Sequence, residues 1–501
     1  MSALEYFYKL CSIPHRSYHT QAMREFLCAQ CERLGFRSVV DEAGNIYASK
    51  ASVDSRAGSA LESTLQARPQ MRPQVCLQAH YDMVGVGAAA RGESLELLRE
   101  GQYLRAKDSS LGADNGAAIA AILWCMERGF SNFEVLFTND EEVGLCGANA
   151  LSVPIQAPFL LNLDSEVFGE VIVGCAGGFD AECCIAAMPY AVCGGVVVEA
   201  FGFSGGHSGV DIHKNIKSSL VEFFAIFSVI SECLDEKSGI ILTDLEAGEK
   251  SNSIAVGLRA QLAFSTQEIA QHFTQLLQAL AKKVDSRLLS IIHHAELEST
   301  FEQCRIYVSK NAGFVVKIVE KPTQKSQVLG YEMTDLARFV GELRQGVWER
   351  DRHTILSSLN IALARTHEQH LDFRLKARAN KDNLLESIRT SILEISRRLC
   401  QKPATISGFY APWQRQLADD HPILQHILQA FEWRHTEISE IHAGLECGIL
   451  QERFAQMGLE PVLMASIGPT ILSPHSTQER LDIGSFEEFV RVLCRILKTL
   501  D

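Results

Sequence analysis

Apolar residues along this chain occur in two patterns, which predict alternating strands and helices. Short and nearly uninterrupted apolar runs, such as Val75–Ala79 and Phe133–Thr138, are typical of strands that are buried on both faces. Between these two runs, Asn115–Arg128 places apolar side chains at helical spacing. A third strand is predicted at Phe159–Leu163. Strands of this kind that alternate with helices indicate an α/β layer around a largely buried sheet.

The pattern changes near residue 181 and returns near residue 400. A strand predicted at Gly195–Phe203 is followed by a helix at Ile216–Cys233, and a strand and a helix also share residues 371–400. Residues 300–350 show no clear periodicity. We therefore expect an α+β insertion between two segments of one α/β domain.

Composition narrows the class of protein. Hydrophobic residues make up 47% of the 501-residue chain and charged residues 22%, which is the balance of a globular protein rather than a disordered one. This length favours two or three compact units. The net charge of −14 disfavours binding to a phosphate backbone, so we expect no nucleic-acid partner.

Targeting and cysteine signals indicate a soluble cytoplasmic protein. The segment Met1–Arg16 lacks the basic and apolar regions of a signal peptide, and no apolar run reaches the roughly 20 residues that span a bilayer, so we expect no membrane partner. The 15 cysteines are irregularly spaced, which argues against a disulfide framework. Cys28 and Cys31 form a lone C-x-x-C pair of low specificity. Residues 51–73 predict a surface insertion.

Residue types that bind metals follow the ends of successive predicted elements. They are His80 and Asp82 after the first strand, Asp114 at the front of the helix, Glu141 and Glu142 after the second strand, and Asp164 after the third. In open α/β sheets, ligands bind beyond the carboxyl ends of the strands. These residues are therefore expected to meet at one rim of the sheet.

The chemistry of these side chains suits divalent metal ions. Zinc accepts imidazole nitrogen and carboxylate oxygen, and two neighbouring ions need a shared carboxylate. Each residue alone has a simpler interpretation, since an aspartate before a helix is usually an N-cap and a Glu-Glu pair usually lies in a solvated loop. Their occurrence in order favours a metal site, because converging carboxylates repel one another without cations.

Eight motifs, together with His475, resemble those of the aminoacyl-histidine (Xaa-His) dipeptidases, a family of two-zinc metallopeptidases with a lid domain. The motifs are Gln-Ala-His-Tyr-Asp-Met-Val (78–84), Leu-Gly-Ala-Asp-Asn-Gly (111–116), Asn-Asp-Glu-Glu-Val-Gly (139–144), Asn-Leu-Asp-Ser-Glu (162–166), Gly-Cys-Ala-Gly-Gly (174–178), Gly-Gly-His-Ser-Gly-Val-Asp-Ile-His (205–213), Ile-His-Ala-Gly-Leu-Glu-Cys-Gly (441–448) and Ser-Ile-Gly-Pro-Thr (466–470). The resemblance therefore covers nearly the whole chain.

The resemblance implies an α/β fold with a zinc-peptidase-like catalytic domain and a mixed sheet. Residues 1–180 and 400–501 would form this domain, interrupted by an α+β lid domain for substrate recognition at residues 181–399. A lid of this size also suggests a homodimer.

The resemblance further implies two divalent metal ions, first of all Zn²⁺, with Mn²⁺ and Co²⁺ as alternatives. Asp114 would bridge them, His80 and Asp164 would complete one site, and Glu142 and His475 would complete the other. The peptide bond after Asp114 is expected to be cis.

Three further residues would take part in catalysis. Glu141 would be the general base that takes a proton from water and moves it to the leaving amine. Asp82 would orient His80 and fix its tautomer. In the lid, His207 would stabilise the tetrahedral oxyanion, although a glycine-rich turn is the simpler interpretation of its motif.

Substrate-binding residues match the family less well. Asn252 is retained, but its neighbours in Ser-Asn-Ser-Ile-Ala (251–255) depart from the family's Arg-Asn-Ala-Ile-Pro pattern. A lid arginine that grips the substrate carboxylate corresponds to either Lys376 or Arg378. Glu446 is a candidate for the substrate ammonium, or else a structural ion pair.

These observations predict a metal-dependent dipeptidase acting on a short peptide. An amidohydrolase or deacylase that acts on N-acyl amino acids would share every metal ligand, and a non-catalytic metal-binding protein is the third interpretation. The retained base Glu141 argues against the last of these.

Overall fold

The computed structural model describes residues 1–50, 73–233, 239–281, 294–297, 303–352, 354–400, 402–432 and 436–500. Apart from Pro73, the predicted insertion at 51–73 lies outside the described residues. The α-helices are α1 Ala3–Cys11, α2 Gln21–Arg33, α3 Ala113–Glu127, α4 Cys146–Asn149, α5 Ser219–Cys233, α6 Gln267–Ala281, α7 Met333–Leu343, α8 Asp382–Leu399, α9 Pro422–Ala430, α10 Glu446–Gln456 and α11 Ile483–Thr499.

The β-strands are β1 Arg37–Val40, β2 Ile46–Ser49, β3 Val75–His80, β4 Leu97–Glu100, β5 Tyr103–Ala106, β6 Phe133–Thr138, β7 Phe159–Asn162, β8 Glu170–Cys175, β9 Gly177–Ala186, β10 Met188–Phe201, β11 Ile240–Ala247, β12 Leu258–Phe264, β13 His294–Leu297, β14 Gln303–Tyr307, β15 Gly313–Glu332, β16 Gly346–Arg350, β17 Ile355–Thr366, β18 His370–Ala379, β19 Thr405–Tyr410, β20 Glu437–Ile441, β21 Leu463–Ser466, β22 Ile471–Leu472 and β23 Arg480–Asp482.

The chain divides into two compact units. Unit 1 comprises Met1–Cys175 and Ala411–Asp501, and unit 2 comprises Ala176–Tyr410. The sequence pattern predicted that the chain leaves the first domain near residue 180 and returns to it near residue 400. The return falls later in the structure because β19 pairs with β9 and so extends the sheet of unit 2.

Unit 1 is built on an eight-stranded mixed sheet in the order β1-β2-β6-β3-β7-β21-β8-β20. The central strand β3 pairs in parallel with β6 on one side and β7 on the other. A small sheet in the order β22-β23-β5-β4 accompanies it. Parallel strands need helical crossovers, and α3 supplies the one between β3 and β6.

Burial explains why these segments of unit 1 fold as they do. Every residue of β3, β6 and β7 is buried, as their uninterrupted apolar runs predict. The alanine-rich helix α3 is buried along most of its length, and small side chains allow close packing there. Helix α11 adds Phe486, Phe489 and Leu493 to the same core, and each such side chain contributes about 1.5–3 kcal/mol.

Unit 2 is built on an eleven-stranded antiparallel sheet. Its main path runs β13-β14-β15-β10-β12-β11-β17-β18-β9-β19, and β16 pairs with β17. Helix α5 buries Phe223, Phe224 and Phe227 against the apolar face of this sheet. The other face of β9 and β18 carries polar side chains, as strict alternation along both strands shows.

Most predicted elements lie within a few residues of their observed positions. The strand predicted at Phe133–Thr138 matches β6 at both ends, and the helix predicted from Asn115 begins two residues earlier. The strand predicted at Gly195–Phe203 is longer and begins at Met188. Among the described residues, no helix combines the length and apolar character that crossing a membrane requires.

Candidate metal centre

Strand register brings the predicted ligands of unit 1 to one edge of the sheet. His80 at the end of β3 is aligned with Thr138 at the end of β6, and Gln78 is aligned with Asn162 at the end of β7. The segments that carry Glu141 and Asp164 therefore leave the same edge of the sheet, on either side of β3. This is the carboxyl end of the parallel strands, where α/β sheets bind ligands.

Asp114 lies between two histidines. One carboxylate oxygen, Oδ1, is 3.1 Å from Nε2 of His80, and the other, Oδ2, is 3.0 Å from Nε2 of His475. The loop before α3 turns at Gly112, which has a φ of 72° that favours glycine. The bond between Asp114 and Asn115 is cis, as predicted.

The other two predicted ligands flank this arrangement. Oδ1 of Asp164 is 3.3 Å from Nε2 of His80, and Oε1 of Glu142 is 3.0 Å from Nε2 of His475. The structure thus brings all five predicted ligands together around the two oxygens of Asp114. His80, Asp114 and Glu142 each offer one ligand atom within 4.8 Å of the others.

The donor set fits divalent cations. Nδ1 of His80 lies 3.0 Å from the backbone carbonyl of Asp82, which can only accept, so Nδ1 carries the proton. In the neutral imidazole, Nε2 then presents a lone pair towards the carboxylates of Asp114 and Asp164. Two acceptors face each other favourably only with a proton or a metal ion between them. In the metal-free protein burial would lower the pKa of His80, but the neighbouring carboxylates hold it well above its ordinary value.

The pKa values of the site residues in the metal-free protein also indicate that positive charge is favoured there. Burial alone would lower the pKa of His475, but the carboxylates of Asp114 and Glu142 raise it to about 12. Burial, and then the charge of Asp114, raise the pKa of Glu142 to about 7. Burial, and then neighbouring Glu142, hold the pKa of Glu141 well above its ordinary range. The buried carboxylates therefore repel one another until cations neutralise them.

Asp82 contacts both His80 and the loop that carries Glu141. Its Oδ1 accepts the backbone N–H of Glu141 at 2.8 Å, and its Oδ2 accepts the hydroxyl of Ser17 at 2.7 Å. Oδ1 also lies 3.5 Å from Nδ1 of His80. The position of Asp82 suits an orienting role, since one buried carboxylate contacts both segments.

Glu479 is a site residue that the sequence analysis missed. Its side chain is buried, and its two oxygens accept the backbone N–H groups of Leu111 and Ala113 at 2.8 Å each and of Gly112 at 3.3 Å. These residues form the loop that presents Asp114. The sequence feature that could have pointed to Glu479 is its position four residues after His475.

Glu166, in the motif at residues 162–166, is a second carboxylate that interacts with the predicted ligands. Burial, and then the charge of Asp114, raise its pKa to about 8, with His475 acting in the opposite direction. It follows Asp164 by two residues after β7. It therefore adds a further carboxylate to the surroundings of the cluster.

Glu446 is buried below this edge of the sheet, at the start of α10. Its Oε2 accepts hydrogen bonds at 2.6 Å from both Gln78 and Thr138, whereas its Oε1 is buried without a hydrogen-bond partner. Burial, offset mainly by the charge of His80, raises the pKa of Glu446 to about 7. One buried carboxylate oxygen thus lacks a hydrogen-bond donor, which is unfavourable.

His207 and Asn252, the predicted oxyanion and substrate residues, belong to unit 2. The backbone N–H of Ser208 donates to the carbonyl of Asn252 at 2.8 Å, so their two loops are joined. Nδ1 of His207 accepts the backbone N–H of Val210 at 3.0 Å. In the neutral ring, Nε2 therefore carries the proton.

Lys376 and Arg378 of β18 differ in their partners. Nζ of Lys376 lies 3.0 Å from Oδ2 of Asp180 and is thus occupied by an ion pair. Arg378 is buried, with Nη1 donating to the hydroxyl of Tyr410 at 2.8 Å, while its Nε has no hydrogen-bond partner. The charge of Lys376 is therefore balanced by Asp180, whereas Arg378 contacts a neutral hydroxyl and has an Nε–H without a hydrogen-bond partner.

Comparisons with known proteins support a peptidase relationship. No family model matches the sequence. The chain is 27% identical over 517 residues to the cytosol non-specific dipeptidase of Escherichia coli (strain K12), covering 99% of this chain and 96% of that protein. A peptidase T-like protein of Rhizobium meliloti is 34% identical over 119 residues, which is 21% of this chain and 29% of that protein. The predicted resemblance to dipeptidases is confirmed along the whole chain.

Solved structures confirm the predicted fold class. An aminoacylhistidine dipeptidase from Vibrio alginolyticus superposes with a TM-score of 0.69 at 24% identity, covering 99% of this chain and 96% of that one. An aminopeptidase PepT from Bacillus cereus superposes with a TM-score of 0.52 at 12% identity, covering 99% and 98%. At these identities the likeness concerns the fold.

Proposed function

We propose that this chain is a metal-dependent dipeptidase that uses Glu141 as its general base. The observation that carries the proposal is the position of Asp114, which directs one carboxylate oxygen towards each of two imidazoles. The full-length similarity to a non-specific dipeptidase supports the reaction class. A broad dipeptide specificity, rather than one restricted to Xaa-His, agrees with the departures around Asn252.

Two divalent ions, first of all Zn²⁺, are proposed to bind at the metal centre. His80 and Asp164 would hold one ion, Glu142 and His475 the other, and Asp114 would contact both. When bound, such ions polarise the scissile carbonyl and lower the pKa of water.

Glu141 is proposed to take a proton from the attacking water and to deliver it to the leaving amine. Its neighbour Glu142 points to His475 and is used as a ligand, which leaves Glu141 for proton transfer. Asp82 holds the backbone of Glu141 and contacts His80, so it is proposed as the residue that positions both.

The substrate termini are proposed to bind charged side chains of opposite sign. Glu446 has a buried acceptor oxygen for the substrate ammonium, and Arg378 has a buried Nε donor for the carboxylate. Asn252 is proposed as a further substrate contact. His207 would donate its Nε2 proton to the oxyanion, because its Nδ1 accepts backbone N–H groups.

The N-acyl amino acid amidohydrolase remains the rival function, and Glu446 distinguishes the two. An N-acyl substrate has no ammonium group and would leave a buried carboxylate without a partner, which is unfavourable. We therefore expect hydrolysis of free dipeptides in preference to N-acetylated ones.

A side-by-side assay tests the proposed function. The zinc-loaded protein and a chelator-treated sample are incubated with a dipeptide panel and with the N-acetylated form of each dipeptide, and released amino acids are measured. Hydrolysis of free dipeptides by the loaded protein alone is the expected result. Hydrolysis of only the N-acetylated substrates would favour the amidohydrolase, and metal binding without any hydrolysis would favour a non-catalytic protein.

We also propose a cytoplasmic location, because the E. coli relative is named a cytosol dipeptidase. A homodimer stays a prediction, which sedimentation analysis of the purified protein can test.

A further inference from the structure

A second group of metal-binding side chains lies in unit 2, on the polar face of its sheet. Cys184 of β9 and Asp372 of β18 are directly opposite each other in the strand register. His370 precedes Asp372 by two residues and so projects from the same face. His367 belongs to the tight connection between β17 and β18, and its backbone N–H donates to the carbonyl of His370 at 2.8 Å.

Three of these ligand atoms converge, and the fourth, Nε2 of His367, lies close to the Asp372 carboxylate. Nε2 of His367 and Nε2 of His370 both lie 3.3 Å from Oδ2 of Asp372, and the two imidazole rings stack with centroids 4.7 Å apart. Cys184, His370 and Asp372 each offer a ligand atom within 4.8 Å of the others. Ligands held at about 2.0–2.1 Å in a tetrahedron are roughly 3.4 Å apart, which these separations approach.

A simple ion pair explains only part of this geometry. One protonated histidine would satisfy Oδ2 of Asp372, but its other oxygen, Oδ1, is buried without a hydrogen-bond partner. A second histidine and a thiol also face the same carboxylate.

We propose that Cys184, His367, His370 and Asp372 form a Zn²⁺ site in unit 2, separate from the metal centre of unit 1. One thiolate, one carboxylate and two imidazoles are zinc ligands of ordinary type and number. On binding, the S–H bond of Cys184 breaks, a Zn–S bond forms and the proton passes to solvent. The two negative ligands balance the charge of the ion, and no oxidant or reductant is needed.

The thiol allows this site to be observed independently of catalysis. The metal centre of unit 1 contains only imidazole and carboxylate ligands, so a thiolate-to-cobalt charge-transfer band in Co²⁺-substituted protein reports on Cys184. The full-length protein is stripped of metal, titrated with Co²⁺ and followed by absorbance. The variants are C184S, the double variant H367A/H370A, and the matched controls C28S and H426A in unit 1.

We expect the charge-transfer band in the wild-type protein and in both controls, and its loss in C184S and in H367A/H370A. Wild type should also bind one equivalent of Zn²⁺ more than C184S. Absence of the band from wild type, or its persistence in either C184S or H367A/H370A, would overturn the proposal.

Alkylation of the wild-type protein gives a test that does not depend on variant folding. Saturating Zn²⁺ should slow iodoacetamide labelling of Cys184 by about tenfold or more, because the ligated thiolate is protected. Labelling of Cys28, measured by mass spectrometry in the same digest, should not change. Equal labelling of Cys184 with and without Zn²⁺ would contradict the site.

Discussion

The carboxylate of Glu479 holds the loop that presents Asp114, so a change at Glu479 should reach the metal centre. Glu479→Gln leaves one acceptor oxygen and places an NH₂ group among backbone N–H donors. We expect a loss of about 1.5–3 kcal/mol in unfolding free energy and a loss of about 10–100-fold in metal affinity. Urea unfolding and competition with a chromophoric chelator measure the two effects.

Glu487→Gln on the exposed face of α11 is the matched control, and it should change stability by no more than about 0.5 kcal/mol. A Glu479→Gln protein with unchanged stability and metal affinity would show that the loop does not depend on this carboxylate.

Glu446 tests recognition of the substrate amino end. Glu446→Gln removes the negative charge while keeping the size of the side chain, so KM for free dipeptides should rise about tenfold, equivalent to about 1.4 kcal/mol. Hydrolysis of N-acetylated dipeptides, where detectable, should change little. Glu452→Gln on the same helix is the control, because its side chain is exposed. Equal losses with both substrate classes would indicate a structural role instead.

Four of the five proposed metal ligands could be predicted at the residue scale because each follows a strand end or a helix start, whereas His475 was predicted only from the family resemblance. His80, Asp114 and Asp164 carry that signal in the local pattern. Glu479 could not be predicted in the same way, since its partners are backbone groups more than 360 positions away. Almost every residue type offers a backbone N–H, so the identities of the partner residues do not reveal such a contact.

Among the secondary-structure elements, the short helix α4 restrains the loop of Glu141 and Glu142. A Cβ atom on Gly147 would lie 2.2 Å from the backbone oxygen of Asn139 and 2.4 Å from Oδ1 of Asn45. Gly147→Ala should therefore displace this loop, lower the unfolding free energy by about 1–3 kcal/mol and weaken metal binding. Thermal unfolding and chelator competition check both results.

Gly341→Ala provides a control of opposite sign. Nothing lies near a Cβ atom at this exposed position of α7, so alanine should stabilise the helix by about 0.5–1 kcal/mol. Similar behaviour of the Gly147→Ala and Gly341→Ala proteins would contradict the close-packing argument.

Elements whose apolar residues recur at regular spacing could be predicted from the sequence, whereas β15 could not. Its residues pair with β10 from Met188 opposite Gly330 to Phe201 opposite Gly313, over separations of more than 100 positions. Pairing at that range stabilises a long strand through partners that no local window contains. The secondary structure of residues 300–350 was therefore the hardest to predict from the sequence.

Across the whole molecule, metal binding should couple to the stability of unit 1. Asp114, Glu142 and Asp164 are brought together at a cost that cations offset, so saturating Zn²⁺ should raise the melting temperature of the chelator-treated protein. At 100 times Kd, one bound ion contributes about 2.7 kcal/mol. Calorimetry with C184S and C184S/D114N, in which the proposed zinc site of unit 2 is removed, should show that the Asp114→Asn change abolishes most of the upward shift. An equal shift in both proteins would place the stabilising ions elsewhere.

The most direct measurement compares zinc-loaded wild type with Glu141→Gln and Glu142→Gln, recording dipeptide hydrolysis and bound metal on the same samples. Glu141→Gln should keep its metal and lose about 10²–10⁴-fold in kcat, because only the proton-transfer group has changed. Glu142→Gln should lose metal as well as activity. Full activity in a metal-loaded Glu141→Gln protein, or no dipeptide hydrolysis by metal-loaded wild type, would contradict the account.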